Sequence, residues 1–526
     1  MKKNLLFAGF IALAFVANAQ DKKVMKYAKT IRVKDATEIL TILSSDAYEG
    51  RETGKPGANK AAQYIKEQFV KLGLTGPVNG DYFQALDLKE KIMAQKSVIV
   101  NGETLEFLKD YCILPGSFDN TKKTYQDFVF VGYGIASAQY DDLTNLNLEG
   151  KVAIVLPGEP LVDGKSLITG TDKMSDWTTS RSKKAAALKA KKPAAIIFLN
   201  TDMSRMASNK AYFDKPSLIM GEEKLGSLLT LYFSKTTLDK LVKSSSKSID
   251  DLIEQIKSTG KSASFNFNSN LNVDVQNKLT QLEAKNVLGF LEGSDPKLKE
   301  EVLVISSHYD HIGVGEDGDV FNGADDDGSG TTGVLEIAEA FVKAKKANRG
   351  PKRSILFLTV VGEEKGLLGS EWYSDHPVFP LEKTITNLNI DMIGRVGDLH
   401  KGKEDSANYV YVIGSDKLSS TLKIVNEKNN ATYTKMILDY KYDDPADTER
   451  IYYRSDHYNF AKHNIPIIFY FNGTHEDYHK KTDEVKKINF PLLVKRTQLV
   501  FYTAWEIANM PNKPVVDRQN DMPSSR

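Results

Sequence analysis

The second half of the chain alternates short apolar runs with longer segments in which apolar residues recur at helical spacing. The runs that predict buried strands cover residues 302–306, 355–361, 385–390, 409–413 and 466–471. The segments that predict helices cover residues 331–344, 417–429, 456–463 and 491–508. This alternation is typical of a wound α/β sheet with helices on both of its faces.

A helix is also predicted near the start of the chain. Residues 58–72 have apolar positions at helical spacing, and Gly73 is a suitable C-terminal stop. The loop before this helix carries the charged residues Asp46, Glu49 and Arg51. Because loop charges are usually hydrated, we expect these three side chains to be solvated.

The pattern changes from about residue 91 to residue 278. Glycine-punctuated runs that resemble strands, DFVFVGYGI, GKVAIVLPG and PAAIIFLN, surround a basic, alanine-rich helical segment, SRSKKAAALKAKK. Ser/Lys-rich connectors are expected between residues 225 and 278, around a helix at 249–256. A smaller β-rich domain inserted into a larger α/β domain is the economical interpretation.

The first residues have the pattern of an export signal. Lys2 and Lys3 precede an apolar run that ends in small residues at Ala19, so cleavage after Ala19 is expected. An exported protein of this kind is periplasmic or secreted. No later stretch is long and apolar enough to predict a transmembrane segment. The single Cys112 excludes an internal disulfide and a cysteine-rich zinc site.

These patterns divide the chain into successive segments. They are a signal peptide at 1–19, the N-terminal part of the main domain at 24–90, the inserted domain with connectors at 91–278, the main part at 279–510, and a polar, proline-rich tail at 511–526 that we expect to be disordered.

Composition and charge narrow the function classes. The 526 residues include 41% hydrophobic and 26% charged residues, which is ordinary for a soluble globular protein of two or three domains. The formal net charge is +1, and no polybasic tract is present. Nucleic acid and anionic membranes are therefore not expected partners.

Candidate chemistry lies in residues 308–330, HYDHIGVGEDGDVFNGADDDGSG. This segment connects the predicted strand at 302–306 to the predicted helix at 331–344, so it lies where open α/β sheets place their sites. Imidazole and carboxylate ligands together suit a divalent metal such as zinc. For this segment alone, a solvated acidic loop or a calcium loop is the alternative.

Further candidate residues follow other predicted strands of the sheet. Glu363 and Glu364 come after the strand at 355–361, Asp391 ends the next strand, and His479 lies in a loop near the end of the chain. Each has an ordinary explanation alone, as a helix start, a turn residue or a surface histidine. Because all four clusters lie beyond strands of one sheet, we expect them to meet.

Metal-assisted hydrolysis explains why these residue types occur together. Two cations about 3.5–4 Å apart need a bridging carboxylate and further ligands on each ion. The chain supplies five such ligands, His308, Asp326, Glu364, Asp391 and His479. Glu363 remains free to act as a base, and Asp310 is placed to orient the His308 imidazole.

The motifs HYD, GADDDGSG, VGEEKGLLGS, NIDMIGR and YHKKTDE, in this order, resemble the M28 family of zinc aminopeptidases. The resemblance extends from about residue 36 to residue 510, because LSSDAYEGRETGKPGANKAAQYI is similar to the N-terminal segment of that family. It implies a phosphorylase/hydrolase-like α/β/α sandwich with a mixed sheet. The inserted segment resembles a protease-associated (PA) domain, a module thought to limit access to the cleft.

The resemblance also implies roles for the candidate ligands. His308 and Asp391 would bind one zinc ion, Glu364 and His479 would bind the other, and Asp326 would bridge the two. Asp326 is favoured over its neighbours because the family pattern places the bridging acid two residues before the glycine of GSG.

Three other roles follow from the same resemblance. Glu363 would be the general base and acid that activates a water bridging the two zinc ions. Tyr478 resembles a tyrosine that steadies the oxyanion in some members, and Arg454 resembles a substrate-binding position.

The resulting hypothesis is an exported dinuclear zinc exopeptidase that removes the N-terminal residue of peptide substrates. Three alternatives stay open at this point. They are a glutaminyl cyclase-like enzyme with one zinc ion, a carboxypeptidase or dipeptidase, and a catalytically inactive binding homologue.

Overall fold

The computed structural model describes residues 20–522, apart from 116, 223–225, 405 and 407. The predicted signal peptide at 1–19 lies outside the described residues. The chain forms two compact units, one from Met1–Asp87 and Leu282–Arg526, which we call the main unit, and one from Leu88–Gln281, which we call the inserted unit. Within the described ranges, none of the helices combines the length and the hydropathy that a membrane span requires.

The main unit begins with three helices and a short strand: α1 (Lys22–Ala28), α2 (Val33–Leu43), α3 (Pro56–Leu72) and β1 (Phe83–Ala85). Pro56 lies in the first turn of α3, where a missing N–H costs no hydrogen bond. Gly73 ends the helix with a φ of +81°, a left-handed conformation that glycine adopts without steric cost. The predicted helix and its glycine stop are confirmed.

The expectation that Arg51 is solvated was wrong. Its side chain is only 1% exposed, and its guanidinium donates hydrogen bonds to four backbone carbonyl oxygens, those of Leu43, Tyr309, Asn322 and Gly323. Three of these acceptors lie more than 250 positions away along the chain, so the local sequence gives no sign of them. Arg51 instead anchors the backbone of the loops that follow residue 308.

The described residues of the inserted unit form many strands, most of them short, and six short helices. Its strands are β2 (Leu88–Val100), β3 (Glu103–Thr104), β4 (Tyr111–Cys112), β5 (Thr121–Phe130), β6 (Val152–Val155), β7 (Leu161–Val162), β8 (Lys165–Ser166), β9 (Ala195–Leu199), β10 (Ser217–Met220), β11 (Thr230–Phe233) and β12 (Phe265–Leu282). Its helices are α4 (Asp176–Thr179), α5 (Arg181–Lys189), α6 (Met203–Ser208), α7 (Lys210–Asp214), α8 (Lys235–Val242) and α9 (Ile249–Thr259).

These strands form a mixed sheet in the order β10-β2-β12-β5-β6-β9-β11-β4. The central strands β5, β6, β9 and β11 are parallel, and β12 pairs with β5 in the antiparallel sense. Two apolar clusters line the sheet, one containing Phe128 and Ile154 and the other Val129 and Ala153. At its two ends the unit closes on itself, because Gln281 Nε2 donates a hydrogen bond to the carbonyl oxygen of Leu88 at 3.0 Å.

The three predicted strands and the two predicted helices of the inserted unit are confirmed. The expected connectors between residues 225 and 278 were wrong, because β11, α8 and most of β12 occupy this stretch. Strand β12 alternates buried apolar with exposed polar residues, many of them Asn. A strand with only one buried face lacks a continuous apolar run, and Asn has a low strand propensity.

The rest of the main unit resumes after the insertion. Its strands are β13 (Lys285–Leu291), β14 (Val302–His308), β15 (Gly313–Val314), β16 (Val320–Phe321), β17 (Ser354–Val360), β18 (Thr384–Ile390), β19 (Tyr409–Ile413), β20 (Ile437–Asp439) and β21 (Ile467–Phe471). Its helices are α10 (Gly330–Lys346), α11 (Leu368–Asp375), α12 (Ser420–Asn429), α13 (His457–Ala461) and α14 (Phe490–Asn509).

The main sheet has the order β1-β13-β17-β14-β18-β21-β19-β20. Strands β17, β14, β18 and β21 are parallel, whereas β13 and β19 run antiparallel to their neighbours β17 and β21. Every residue of β14, β17 and β18 is buried. Helices α10 and α14 pack on these strands. Helices α11 and α13 pack on each other, and both contribute to an apolar cluster that includes alternate residues of the strands. The predicted mixed α/β class is confirmed.

The last described residues, 511–522, contain neither helix nor strand but make defined contacts. Asp517 accepts hydrogen bonds from the N–H and the hydroxyl of Ser420, and Lys417 forms an ion pair with Asp521 at 2.9 Å. Met522 is buried in an apolar cluster of the main unit. This part of the tail, which we expected to be disordered, therefore has specific contacts.

Candidate metal centre

The candidate residues lie at the carboxyl ends of four adjacent parallel strands. His308 is the last residue of β14, Glu363 and Glu364 follow β17, Asp391 directly follows β18, and His479 lies in the loop after β21. The four strands are neighbours in the order β17-β14-β18-β21. Because parallel strands end at the same edge of a sheet, these side chains converge there.

Asp326 occupies the centre of this group. It lies in the turn Ala324–Ser329 just before α10, and a cis peptide bond joins it to Asp327. Its Oδ1 is 3.3 Å from His308 Nε2, and its Oδ2 is 3.1 Å from His479 Nε2. The two oxygens of one carboxylate therefore face two different imidazoles.

Each of these imidazoles faces one further carboxylate. His308 Nε2 lies 3.5 Å from Asp391 Oδ1, and His479 Nε2 lies 3.1 Å from Glu364 Oε2. Two groups result, which we call the His308 cluster (His308, Asp326, Asp391) and the His479 cluster (Asp326, Glu364, His479). Donors held ~2.0–2.1 Å from zinc at tetrahedral angles are roughly 3.3–3.4 Å apart, close to the observed spacings.

Several donor atoms of the two clusters are buried without a hydrogen-bond partner in the described part of the chain. They are His308 Nε2, Asp326 Oδ2, Glu364 Oε1 and Asp391 Oδ1. Buried polar atoms are normally paired, and leaving them unpaired costs free energy. A divalent cation in each cluster would satisfy them, and mixed imidazole and carboxylate donors suit zinc.

The carboxylates in and beside the clusters repel one another and attract the histidines. Burial, together with the charge of Asp326, raises the pKa of Asp391, and burial with the charges of Glu364 and Asp391 raises the pKa of Glu363 well above its ordinary value. Burial alone would lower the pKa of His308, but Asp391 and Glu363 raise it well above its usual value. Cations are the natural counter-charge for so many carboxylates.

Asp310 supports this edge of the sheet in two ways. The backbone carbonyl oxygen of Asp310 lies 3.1 Å from His308 Nδ1, closer than its carboxylate at 3.7 Å. An N–H at Nδ1 leaves the Nε2 lone pair free on the side of Asp326. The carboxylate of Asp310 instead accepts hydrogen bonds from Thr53 Oγ1 at 2.7 Å and from the Glu363 N–H at 3.2 Å.

Two further residues position the carboxylates, and sequence reasoning missed both. Ser455 Oγ donates to Asp391 Oδ2 at 2.6 Å. Asp483 Oδ2 accepts hydrogen bonds from the N–H groups of Asp325 and Asp326 at 2.9 and 3.1 Å. Asp483 lies in the same loop as His479, so it couples the backbone of the central aspartate to that loop.

Asp327 is a third aspartate close to the His308 cluster. With His308 and Asp391 it forms another group whose spacing could hold a metal ion. Its Oδ1, however, accepts hydrogen bonds from the N–H groups of Gly330 and Met392 at 2.8 and 3.0 Å. Asp326, whose oxygens face both histidines, is better suited to a shared role.

His311 is a third residue near the clusters that sequence reasoning missed. It is fully buried, and its Nδ1 lies 2.9 Å from Glu364 Oε1 and 3.8 Å from Asp326 Oδ2. The spacing of two histidines three residues apart in HYDH was the available signal.

Tyr478 and Arg454 lie beside the clusters. Arg454 Nη2 donates to the hydroxyl of Tyr478 at 3.2 Å, and the ring of Tyr478 stacks on His479 with centroids 3.8 Å apart. Burial, with the negative charge of Asp326, raises the pKa of Tyr478, so its hydroxyl stays protonated near neutral pH.

A cavity opens next to these residues. Its lining combines carboxylates of the clusters, Arg454 and Tyr478 with an apolar wall formed by Met392, Ile451, Phe469 and Phe471. Apolar walls with a few convergent polar groups are typical of small-molecule sites.

Residues 286–504 match the model of peptidase family M28, a segment that includes every candidate metal ligand. This part of the chain is a peptidase family M28 domain.

Curated relatives of the M28 domain carry several names. A probable leucine aminopeptidase of Arthroderma otae is 28% identical over 222 residues, which cover 40% of this chain and 56% of the relative. A vacuolar membrane protease of Saccharomyces cerevisiae is 32% identical over 134 residues, 26% of this chain and 12% of the relative. A probable glutamate carboxypeptidase of Arthroderma benhamiae is 35% identical over 117 residues, which cover 22% of this chain and 15% of the relative. The chain spans about half the length of the leucine aminopeptidases it matches.

Solved structures with similarity to the whole chain include an aminopeptidase from Aneurinibacillus sp. strain AM-1, with a TM-score of 0.49 and 18% identity over 96% of this chain and 100% of that chain. A zinc aminopeptidase from Bacillus subtilis has a TM-score of 0.44 and 18% identity, over 94% of this chain and 99% of that chain.

Proposed function

We propose that this protein is an exported dinuclear zinc aminopeptidase, an exopeptidase that hydrolyses the N-terminal residue of peptides. The observation that carries the proposal is the position of Asp326, whose two carboxylate oxygens face His308 and His479 at 3.3 and 3.1 Å. A carboxylate shared in this way suits two cations held side by side. Membership of the M28 family supports the same chemistry.

In this proposal, His308 and Asp391 would hold one zinc ion, Glu364 and His479 would hold the other, and Asp326 would contribute to both. Bound zinc would polarise the scissile carbonyl and lower the pKa of a water molecule. The unpaired donor atoms of the two clusters support this assignment.

Glu363 serves as the general base and acid. Its Oε2 is 3.9 Å from His308 Nε2, farther than the nearest oxygens of Asp326 and Asp391, which supports a role other than that of a ligand. The side chain lines the cavity, where it can take a proton from the attacking water and return it to the leaving amine. Tyr478, whose hydroxyl is protonated, can donate a hydrogen bond to the oxyanion.

Recognition of the peptide N-terminus fits the charges of the cavity. Carboxylates of Asp326, Glu363 and Asp391 can accept hydrogen bonds from a substrate ammonium group, and charge-assisted bonds are the stronger ones. The apolar wall suits a Leu- or Ala-type side chain on the N-terminal residue. Arg454 is the cation of this lining and the one feature that favours the carboxypeptidase alternative.

A paired substrate assay tests which end of the peptide is recognised. Each Leu- or Ala-initiated peptide is compared with its N-acetylated and its C-amidated form at the same zinc concentration. We expect acetylation to remove most of the activity and amidation to have little effect. The opposite pattern would replace the aminopeptidase with a carboxypeptidase, and cyclisation of N-terminal glutamine with one zinc ion per chain would favour the cyclase.

Export and the nature of the inserted unit belong to the same proposal. The signal pattern at 1–19 predicts a mature N-terminus at Gln20, which N-terminal sequencing of the protein from the periplasm or medium would test. The β-rich inserted unit is proposed to be a PA-like domain that limits substrate access. Retention of the unprocessed protein in the cytoplasm would argue against export.

A further inference from the structure

We infer that His311 is a direct ligand of the zinc ion in the His479 cluster, so that two imidazoles bind this ion and one binds the other. The inference rests on the proposed dinuclear function and adds a ligand to it. The chain would then supply six zinc ligands in place of the five predicted from the sequence, and the added imidazole would bind only one of the two ions.

Distances place His311 within the cluster. Its Nδ1 is 2.9 Å from Glu364 Oε1 and 3.8 Å from Asp326 Oδ2, and the three side chains form a group whose spacing could hold a metal ion. The rings of His311 and His479 lie 6.0 Å apart, centroid to centroid, at an interplanar angle of 71°. Both imidazoles therefore reach the same pair of carboxylates.

An ordinary hydrogen bond to Glu364 does not account for this contact. Although Glu364 Oε1 is only 2.9 Å away, His311 Nδ1 makes no hydrogen bond of acceptable angle in the described structure, and Oε1 is itself unpaired. The two atoms are therefore close without pairing, as two ligands of one cation would be. His308 Nε2, which the sequence predicts to be a ligand, has the same combination of features. It is buried near carboxylates and has no hydrogen-bond partner among the described residues.

The backbone holds His311 in this position. Its N–H donates to the carbonyl oxygen of Arg51 at 3.1 Å, and Arg51 is itself fixed by its buried hydrogen bonds. Gly323 lies close to the ring, because a Cβ added there would lie 2.5 Å from His311 Cδ2 and Cγ. A ring that is fixed before the metal binds loses little entropy on binding.

The added ligand would make the two ions unequal. Four protein side chains fill the usual tetrahedral shell of zinc, as they do at sites that hold the metal permanently. We therefore expect the ion of the His479 cluster to be the more tightly retained one, even though His479 itself is 38% exposed on its side chain.

X-ray absorption at the zinc edge of the intact, fully loaded protein tests the ligand count without any substitution. The measurement averages over both ions, so three histidine ligands on two ions predict about 1.5 imidazoles per zinc. An average of about one imidazole per zinc in the wild type would overturn the inference.

Zinc retention in variants gives an independent test. His311→Ala and His311→Asn are compared with the wild type after equilibration with a competing chelator, and zinc is counted per chain. If His311 is a ligand, both variants should lose zinc by more than the ~10–100-fold in affinity that a lost supporting hydrogen bond costs. Recovery by Asn, which can still donate a hydrogen bond, would show that His311 is only a positioning residue.

The outcomes separate this inference from the proposed function. A wild type that binds two zinc ions and variants that keep them would remove the role of His311 and leave the proposed function standing. A wild type that binds no zinc, or an Asp326→Ala variant with unchanged zinc content, would remove both. Circular dichroism at the temperature of the assay checks that each variant is folded.

Discussion

The two units of this protein use the same type of sheet, but the main unit contains a group of buried acids and histidines that lack hydrogen-bond partners among the described residues. Each has four parallel strands at its centre, β5, β6, β9 and β11 in the inserted unit and β17, β14, β18 and β21 in the main unit. In the inserted unit the buried carboxylate of Asp142 accepts hydrogen bonds from the N–H of Tyr133 and from the hydroxyl of Tyr140 at 2.9 and 2.8 Å.

Other buried charges of the inserted unit are paired in the same way. Glu159 accepts a hydrogen bond from the Ser175 N–H, and Lys184 donates to the carbonyl oxygens of Leu156 and Gly158. In the main unit, donor atoms of four candidate ligands are buried and have no hydrogen-bond partner in the part of the chain that the structure describes. The presence of acids does not distinguish the two units. The unpaired state of their oxygens and of the imidazole nitrogen does, and it marks the group that needs a cation.

The sharpest way to break this contrast is to remove Asp326. Asp326→Ala deletes the carboxylate that both clusters share, so zinc content should fall from about two ions per chain and peptidase activity should reach background. That loss is at least on the order of 10⁴-fold if the enzyme is typical. Asp142→Asn is the matched control, because Asp142 is buried but paired, and it should keep both ions. Equal zinc loss in the two variants would contradict the contrast.

The next largest effect is expected from substituting the two adjacent glutamates one at a time. Glu363→Ala should keep both zinc ions and lose on the order of 10²–10⁴-fold in turnover, the usual contribution of a positioned acid/base. Glu364→Ala should lose zinc. Metal analysis and kcat of the two purified variants give the answer, and exchanged phenotypes would mean that the roles are assigned the wrong way round.

A smaller effect is expected at Asp483. Its carboxylate holds the N–H groups of Asp325 and Asp326, so Asp483→Ala should weaken zinc binding by ~10–100-fold, as the loss of a supporting residue does. Asp483→Asn keeps one oxygen acceptor and should recover most of the affinity. Zinc titration against a fluorescent competitor measures both, and an unchanged affinity in the Ala variant would exclude a supporting role.

The last effect is confined to alkaline pH and concerns the stability of the inserted unit. Burial lowers the pKa of Lys184 to about 8. Between this value and the ordinary pKa of ~10.4, the unfolded state binds more protons than the folded state, so stability should rise with pH in that window by about 3 kcal/mol. Below pH 8 the side chain is charged in both states and its contribution is constant.

Lys184→Met should remove this rise. Of the three tryptophans, only Trp177 lies in the inserted unit, so fluorescence in a background with Trp372→Phe and Trp505→Phe reports its unfolding. Urea titrations at pH 8 and pH 10.5 are compared between the Lys184→Met variant and its parent. Equal pH dependence in both proteins would show that Lys184 is not the source.

The strands that carry the candidate site were predictable from the sequence because they are buried on both faces. Strands β14 and β17 are mostly apolar, and β18 places Ile and Leu among buried Thr and Asn. Their predicted ends fall within two residues of the observed ones. Strands β2 and β12 were not recognised, because each buries one face only and carries many Lys or Asn residues on the other. An alternating pattern with weak strand formers gives little signal.

The candidate ligands could be chosen from the sequence because each follows a recognisable strand. Arg51 and Asp483 could not, because their roles depend on partners far along the chain. The same holds for the carboxylate of Asp310, whose partners Thr53 and Glu363 lie 257 and 53 positions away. Tertiary contacts of this kind are fixed by the fold as a whole. For His311 the HYDH spacing was a signal.

The hydrogen bond between Gln281 and Leu88 bears on how the chain folds. Helix α3 packs on β13 and α10, which are synthesised only after the intervening residues 88–281. Closing a flexible loop of that length would cost about 5 kcal/mol of chain entropy. If the inserted unit folds first, its two ends are already adjacent and most of that entropy has been lost in an earlier step. The insertion then acts as a short tether, so the main unit can assemble from two distant segments as though they were nearly continuous.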